Sequence, residues 1–157
     1  MPTEEKNSKE DVQPTEDTGK KAVDSLVSSP FVDQDARFDV SVNFVRIGEN
    51  VFVENKDEDY QEKVDEVGKD KVAAIVVSFK YPDTGDCDQI TLGSTHTGVQ
   101  LQFKDFTKLE LIRMLVLIKG WNQPMPLDNQ EILKLHPKIT RAILDGLIDR
   151  LGNDGLV

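Results

Sequence analysis

Residues 106–121 constrain this chain more than any other stretch, because they are its most apolar segment and both ends carry helix-boundary signals. Thr107 and Glu110 form a capping box, in which the hydroxyl accepts from a first-turn N–H and the carboxylate reaches back to the cap's own N–H. Phe106 and Leu111 stand where a hydrophobic staple would fix the approach of the chain. Lys119 suits the negative end of the helix dipole, Gly120 offers a left-handed stop, and Trp121 is placed to fold over the last turn. Leu109, Ile112 and Val116 make one stripe and Leu111, Leu115 and Ile118 another, with Met114 and Leu117 filling the gap. Lys108, Arg113 and Lys119 are the clearly polar positions, so this helix must be covered on more than one side. It is too short for a bilayer, which takes about 20 apolar residues.

Around this helix the chain changes period several times. Residues 1–21 are charged and polar with almost nothing to bury, which predicts a disordered acidic arm. Residues 22–36 regain Val23, Leu26, Val27, Phe31 and Val32, giving a linker that packs on its own domain or docks on a partner. One domain is expected over residues 37–157, β-rich to residue 104 and helical from 105. Phe38, Val40, Val42 and Phe44 alternate with polar neighbours as in a half-buried strand, and residues 48–50 turn it back into Val51, Phe52 and Val53. Tyr60, Val64 and Val67 recur at helical spacing before Gly68, predicting a short surface helix, with a disordered loop as the other reading. Residues 72–81 are the richest β-forming run and apolar on both faces, as in a central strand. Residues 82–85 spell a turn, 89–92 and 99–103 read as two further strands, and together these give an antiparallel meander.

Beyond Trp121, Pro124 and Pro126 hold an extended linker. Asp128 with Glu131 opens a short helix, and Pro137 starts another whose face carries Ile139, Ala142, Ile143, Gly146, Leu147 and Leu151. Gly146 costs about 1 kcal/mol of helix propensity against alanine, which predicts a close helix crossing there. The fold class is therefore α+β, a small antiparallel β-meander packed against a C-terminal three-helix unit.

The chain's 157 residues and net charge of −10 limit function. Residues 1–36 carry 9 acidic and 4 basic side chains, and 37–157 carry 20 and 15, so neither part offers the basic stripe that nucleic-acid phosphates need. A helix-turn-helix rhythm over residues 128–151 is undercut because Lys138, Arg141 and Arg150 stand among Asp145 and Asp149. The polar, acidic N-terminus lacks the apolar core of a signal peptide, and with Cys87 the lone cysteine the expected location is cytoplasmic.

Candidate chemistry is sparse. Asp83, Thr84 and Gly85 form the tripeptide of aspartic proteases, but once only and in a polar context, where a turn accounts for it. Asp83, Asp86 and Asp88 lack the alternation and closing glutamate of a calcium loop. His96, His136 and Cys87 sit on separate turns, short of a zinc set, and no phosphate loop or nucleophile elbow is present. No catalytic residue, metal or cofactor is assigned.

Residues 107–151, with the apolar helix, the Gly120, Trp121, Asn122 turn, the proline linker through Leu127 and the closing helices, resemble the C-terminal half of bacteriophage tail assembly chaperones. That resemblance implies a non-catalytic protein, cytoplasmic in an infected cell or associated with the virion, that binds a phage structural component during assembly. The expected partner is another protein, and neither nucleic acid nor a membrane. Phe31, Val32, Trp121, Met125 and Leu127 are the candidate contact residues, because apolar side chains in proline-bearing, non-periodic segments stay accessible. A small hydrolase using the acidic turn at Asp83, Asp86 and Asp88 is the alternative.

Overall fold

The computed structural model describes residues 29–95 and 107–153, so the acidic arm, residues 22–28, Phe106 and the strand expected at 99–103 lie outside the described residues. The chain divides after Asp33, and the fold belongs to the unit that begins at Gln34. Its sheet has four strands, β1 (Arg37–Ile47), β2 (Asn50–Val53), β3 (Ala73–Lys80) and β4 (Ile118–Trp121). Their order is β2-β1-β3-β4 with every neighbour antiparallel. Among the described residues, five α-helices accompany it: α1 (Tyr60–Val67), α2 (Thr84–Thr95), α3 (Lys108–Leu117), α4 (Asn129–Ile132) and α5 (Pro137–Asn153). The fold class is α+β, as the two hydrophobic periods of the sequence require.

The alternation of β1 decides the layering. Phe38, Val40 and Val42 pair across to Phe79, Val77 and Ile75, and this apolar face meets Met114 and Leu117 of α3 and Ile143, Leu144 and Leu147 of α5. At Val45 the opposite face becomes apolar too, and there Tyr60 and Val64 of α1 cover it. The β1–β2 hairpin turns through Gly48 at φ 64°, where glycine avoids a side-chain clash.

Four elements differ from the sequence reading. The apolar helix stops at Leu117, and Ile118 enters β4 opposite Phe79 rather than continuing to a cap at Gly120. A continuous apolar run suits a buried strand as well as a helix, and the unpaired edge of β3 offers hydrogen bonds that a further helical turn would forgo. Residues 84–95 form α2 in place of a turn and a strand, because Asp83 caps a helix: its Oδ1 accepts from Asp86 N–H, while Asp86 Oδ2 accepts from Asp83 N–H. The fourth strand is consequently supplied by residues 118–121 rather than 89–92. Finally, the close approach at Gly146 is to a strand and not to a helix, since a Cβ there would lie 2.6 Å from Val40 Cγ1.

Candidate functional site

Trp121, Met125 and Leu127 are brought into one surface loop. Trp121 stands opposite Val77 at the end of β4, half-buried against the main core, and its indole Nε1 donates to Met125 O at 3.0 Å. That bond closes the proline-bearing segment on itself. Leu127 is half-buried and packs on the same core, whereas Met125, between the two prolines, is 41% exposed. The result is an apolar side chain held outward on a loop pinned at both ends. Phe31 and Val32 belong to the preceding unit, where Phe31 is 82% exposed and its N–H is donated to Ser29 Oγ.

Asn122 anchors the base of this loop. Its N–H donates to Val76 O, its Oδ1 accepts from Val76 N–H, and its Nδ2 donates to Ala74 O. The carboxamide thus continues the β3 ladder where β4 has ended, and Asn122 is a positioning residue that sequence reasoning passed over. A polar residue directly after a tryptophan gave no periodic signal. Leu92 and Leu133, exposed at 58% and 52%, were also missed as accessible apolar side chains, because Leu92 was read within a strand and Leu133 within a short helix.

The acidic segment at residues 83–88 is occupied by fold-building bonds. Asp83 Oδ2 accepts from Gln34 Nε2 at 3.1 Å and lies 3.5 Å from Lys80 Nζ, while Asp86 Oδ2 lies 2.7 Å from the same ammonium. The backbone N–H of Asp86, then the Gln34 amide, holds the Asp83 carboxyl well below its usual range, to about 2. The hydrogen bond to Asp86 leads in raising the Lys80 pKa above its ordinary value, against the opposing effect of burial. Both carboxylates serve as the cap of α2 and as counter-charge for a buried lysine. Asp88 and Cys87 are exposed on the following turn.

A second charged chain ties α5 to the rest. Arg141 donates to Glu110 Oε1 at 3.0 Å and lies 2.8 Å from Asp145 Oδ1, and Asp145 Oδ2 takes Lys56 Nζ at 2.5 Å. The Arg141 hydrogen bond is the leading cause that lowers the Glu110 pKa, with Thr107 N–H adding to it. Burial lowers the Arg141 pKa, yet the pull of Glu110 and Asp145 outweighs it and the net shift is upward. His136 uses its carbonyl to accept Ile139 and Thr140 N–H, and its Nδ1 to accept Lys138 N–H, so it caps α5. His96 lies outside the described residues, among which no three His, Cys, Asp or Glu side chains gather to hold a metal ion.

An apolar cleft of about 220 Å³ opens between α2, α3 and α5, lined by Ile90, Leu109, Leu117 and Leu151 with Cys87 and Arg113 at its polar side. No helix among the described residues is long and apolar enough to cross a membrane. No protein-family model matches the chain, and no characterised protein or solved structure matches it either.

Proposed function

We propose that this chain is a non-catalytic protein-binding protein, an assembly or structural accessory factor similar in role to bacteriophage tail assembly chaperones. The observation that carries this reading is Met125, 41% exposed at the tip of a loop that the Trp121 indole closes and Asn122 fastens to β3. A pre-set loop presents an apolar anchor without an ordering cost at binding, and exposed methionine and aromatic side chains are enriched among contact residues. The same segment carries the tail-chaperone resemblance. The partner on this reading is a structural protein, met in the cytoplasm of an infected cell or in the virion, and Phe31 and Val32 supply a second contact from the preceding unit. The engaged oxygens of Asp83 and Asp86 support a structural use of the acidic segment over a hydrolytic one.

The test is retention of a structural protein from lysate of the native source by full-length chain, compared with Met125→Glu and Asp83→Asn. Met125→Glu places a charge on an exposed tip, so its thermal midpoint stays within a degree or two while retention falls at least tenfold. Asp83→Asn retains the partner. Equal retention by Met125→Glu removes the loop from the interface, and failure of the wild-type chain to hold any structural protein removes the reading.

A further inference from the structure

The sheet treats its edges unequally. Along the outer edge of β2, Asp57 Oδ2 accepts from Val53 N–H at 2.7 Å, Lys56 and Asp57 N–H donate to Val53 O, and Lys138 Nζ donates to Val51 O at 3.1 Å. On β3, the Asn122 carboxamide closes the portion that β4 does not reach. Side chains and the turn after β2 therefore take the hydrogen bonds that would otherwise invite another strand. Among the described residues, the first half of β1 has no such cover.

β2 pairs only with the last four residues of β1, from Phe44 to Ile47, and then turns away at Asn55, whose φ of 68° is left-handed. Asn43 O accepts from Glu54 N–H at 3.0 Å, so odd-numbered residues of β1 direct their backbone groups to the β2 side. By the alternation of a strand, the N–H and C=O of Asp39 and Ser41 point the same way, and no strand lies there among the described residues. Beside this edge runs a groove of about 240 Å³, walled by Ser41 and Asn43 on the strand side and by Ala142, Asp145, Gly146 and Asp149 of α5 on the other.

The groove is acidic. Lys56 spends its ammonium on Asp145, whereas Glu54 and Asp149 have no ionic partner among the described residues. We propose that the free half of β1 accepts an extended, basic segment of a partner protein as a fifth strand, its lysine or arginine stems lying over Ala142 and Gly146 and their charges on Asp149 and Glu54. Main-chain bonds to Asp39 and Ser41 supply affinity, and the alternate side chains supply choice of partner. A second copy is the poorer occupant, since a chain of net charge −10 would bring acid against acid. The proposal rests on the protein-binding reading and names a binding mode for it, on a surface separate from the Met125 loop.

The probe is an acetylated, amidated hexapeptide of alternating lysine and valine, titrated into full-length protein and followed by amide hydrogen exchange and NMR shifts. Expected are protection at Asp39 and Ser41, at least tenfold weaker binding of the glutamate–valine counterpart, and the same loss when every second peptide amide is N-methylated. Ser41→Pro removes an N–H that the fold itself does not use, so it should fold and lose binding at least tenfold. Asp149→Lys, an exposed charge reversal, should weaken binding at least fivefold and guards against a folding defect in the proline variant. Equal affinity of the N-methylated peptide, or protection at residues 118–121 instead, overturns the proposal. So does a dimer that Ser41→Pro dissociates, which would make a second copy the occupant. A partner retained through Met125 by a chain that does not bind the peptide sinks the β1 edge alone; loss of both sinks the protein-binding reading as well.

Discussion

Gly146→Ala tests the packing of α5 on the sheet. Alanine is the better helix former by about 1 kcal/mol, so on propensity alone the variant should be more stable. The new Cβ, however, lies 2.6 Å from Val40 Cγ1 and 3.6 Å from Val40 Cβ and Cγ2. Val40 is buried and β-branched in the middle of β1, so its methyls cannot swing aside without leaving a staggered rotamer. Inserting a methyl into a filled core costs about 1–3 kcal/mol, and taking about 2 for this contact leaves a net loss near 1 kcal/mol. In a Val40→Ala background the obstructing methyls are gone and the propensity gain returns, so the two changes couple by about 2 kcal/mol, within the range for touching residues. Urea denaturation followed by circular dichroism on all four proteins measures the cycle, with constant m-values as the check on two-state behaviour. A Gly146→Ala variant more stable than wild type, or coupling near zero, would refute the close approach.

Two further outcomes follow from the polar contacts. Glu110 and Asp83 both titrate below their ordinary ranges in the fold, the latter at about 2 against 3.8, so each contributes stability above its unfolded pKa that is lost as pH falls through the folded value. The acid limb of stability should therefore descend below about pH 4.5, and Glu110→Gln should lower stability at pH 7 while making that limb shallower; an unchanged slope contradicts the Arg141 pairing. Asn122→Ala removes the two carboxamide ladder bonds at the base of the loop, and a loss of about 1–2 kcal/mol in chemical denaturation is expected, with faster amide exchange at Val76; no change in either would mean that water replaces the carboxamide.

The parts of the fold that could be read from sequence are those in which one local rule acts without competition. The period of two from Phe38 to Phe44 and the Thr107 and Glu110 box each had a single physical interpretation, and each is present; the helical spacing of Tyr60 and Val64, which left a loop open as well, is a helix. Ile118 had two, since an apolar residue after a helix serves equally to extend it or to begin a buried strand, and only the free edge of β3 decides. Asp83 likewise serves turns and helix caps with the same oxygen, so α2 was hidden behind turn chemistry. Of the candidate contact residues, the proline spacing exposed Met125, but the Trp121 indole bond to it and the Asn122 ladder mimicry depend on where β4 stops. The open half of β1 was illegible for the same reason, being defined by where β2 turns away at Asn55.

The strand order also dictates a sequence of events during synthesis. β1, β2 and β3 are all complete by Lys80, so three adjoining strands can pair before α3 or α5 exists. Their shared apolar face, with Phe38, Val40, Val42, Val77 and Phe79, lacks its main cover until residues 108–117 and 137–153 are made. At translation rates of about 5–20 residues per second that cover is missing for several seconds. The emerging chain is thus most prone to aggregation midway through its production, and a ribosome stalled between β3 and α5 would hold a nascent sheet with half a core.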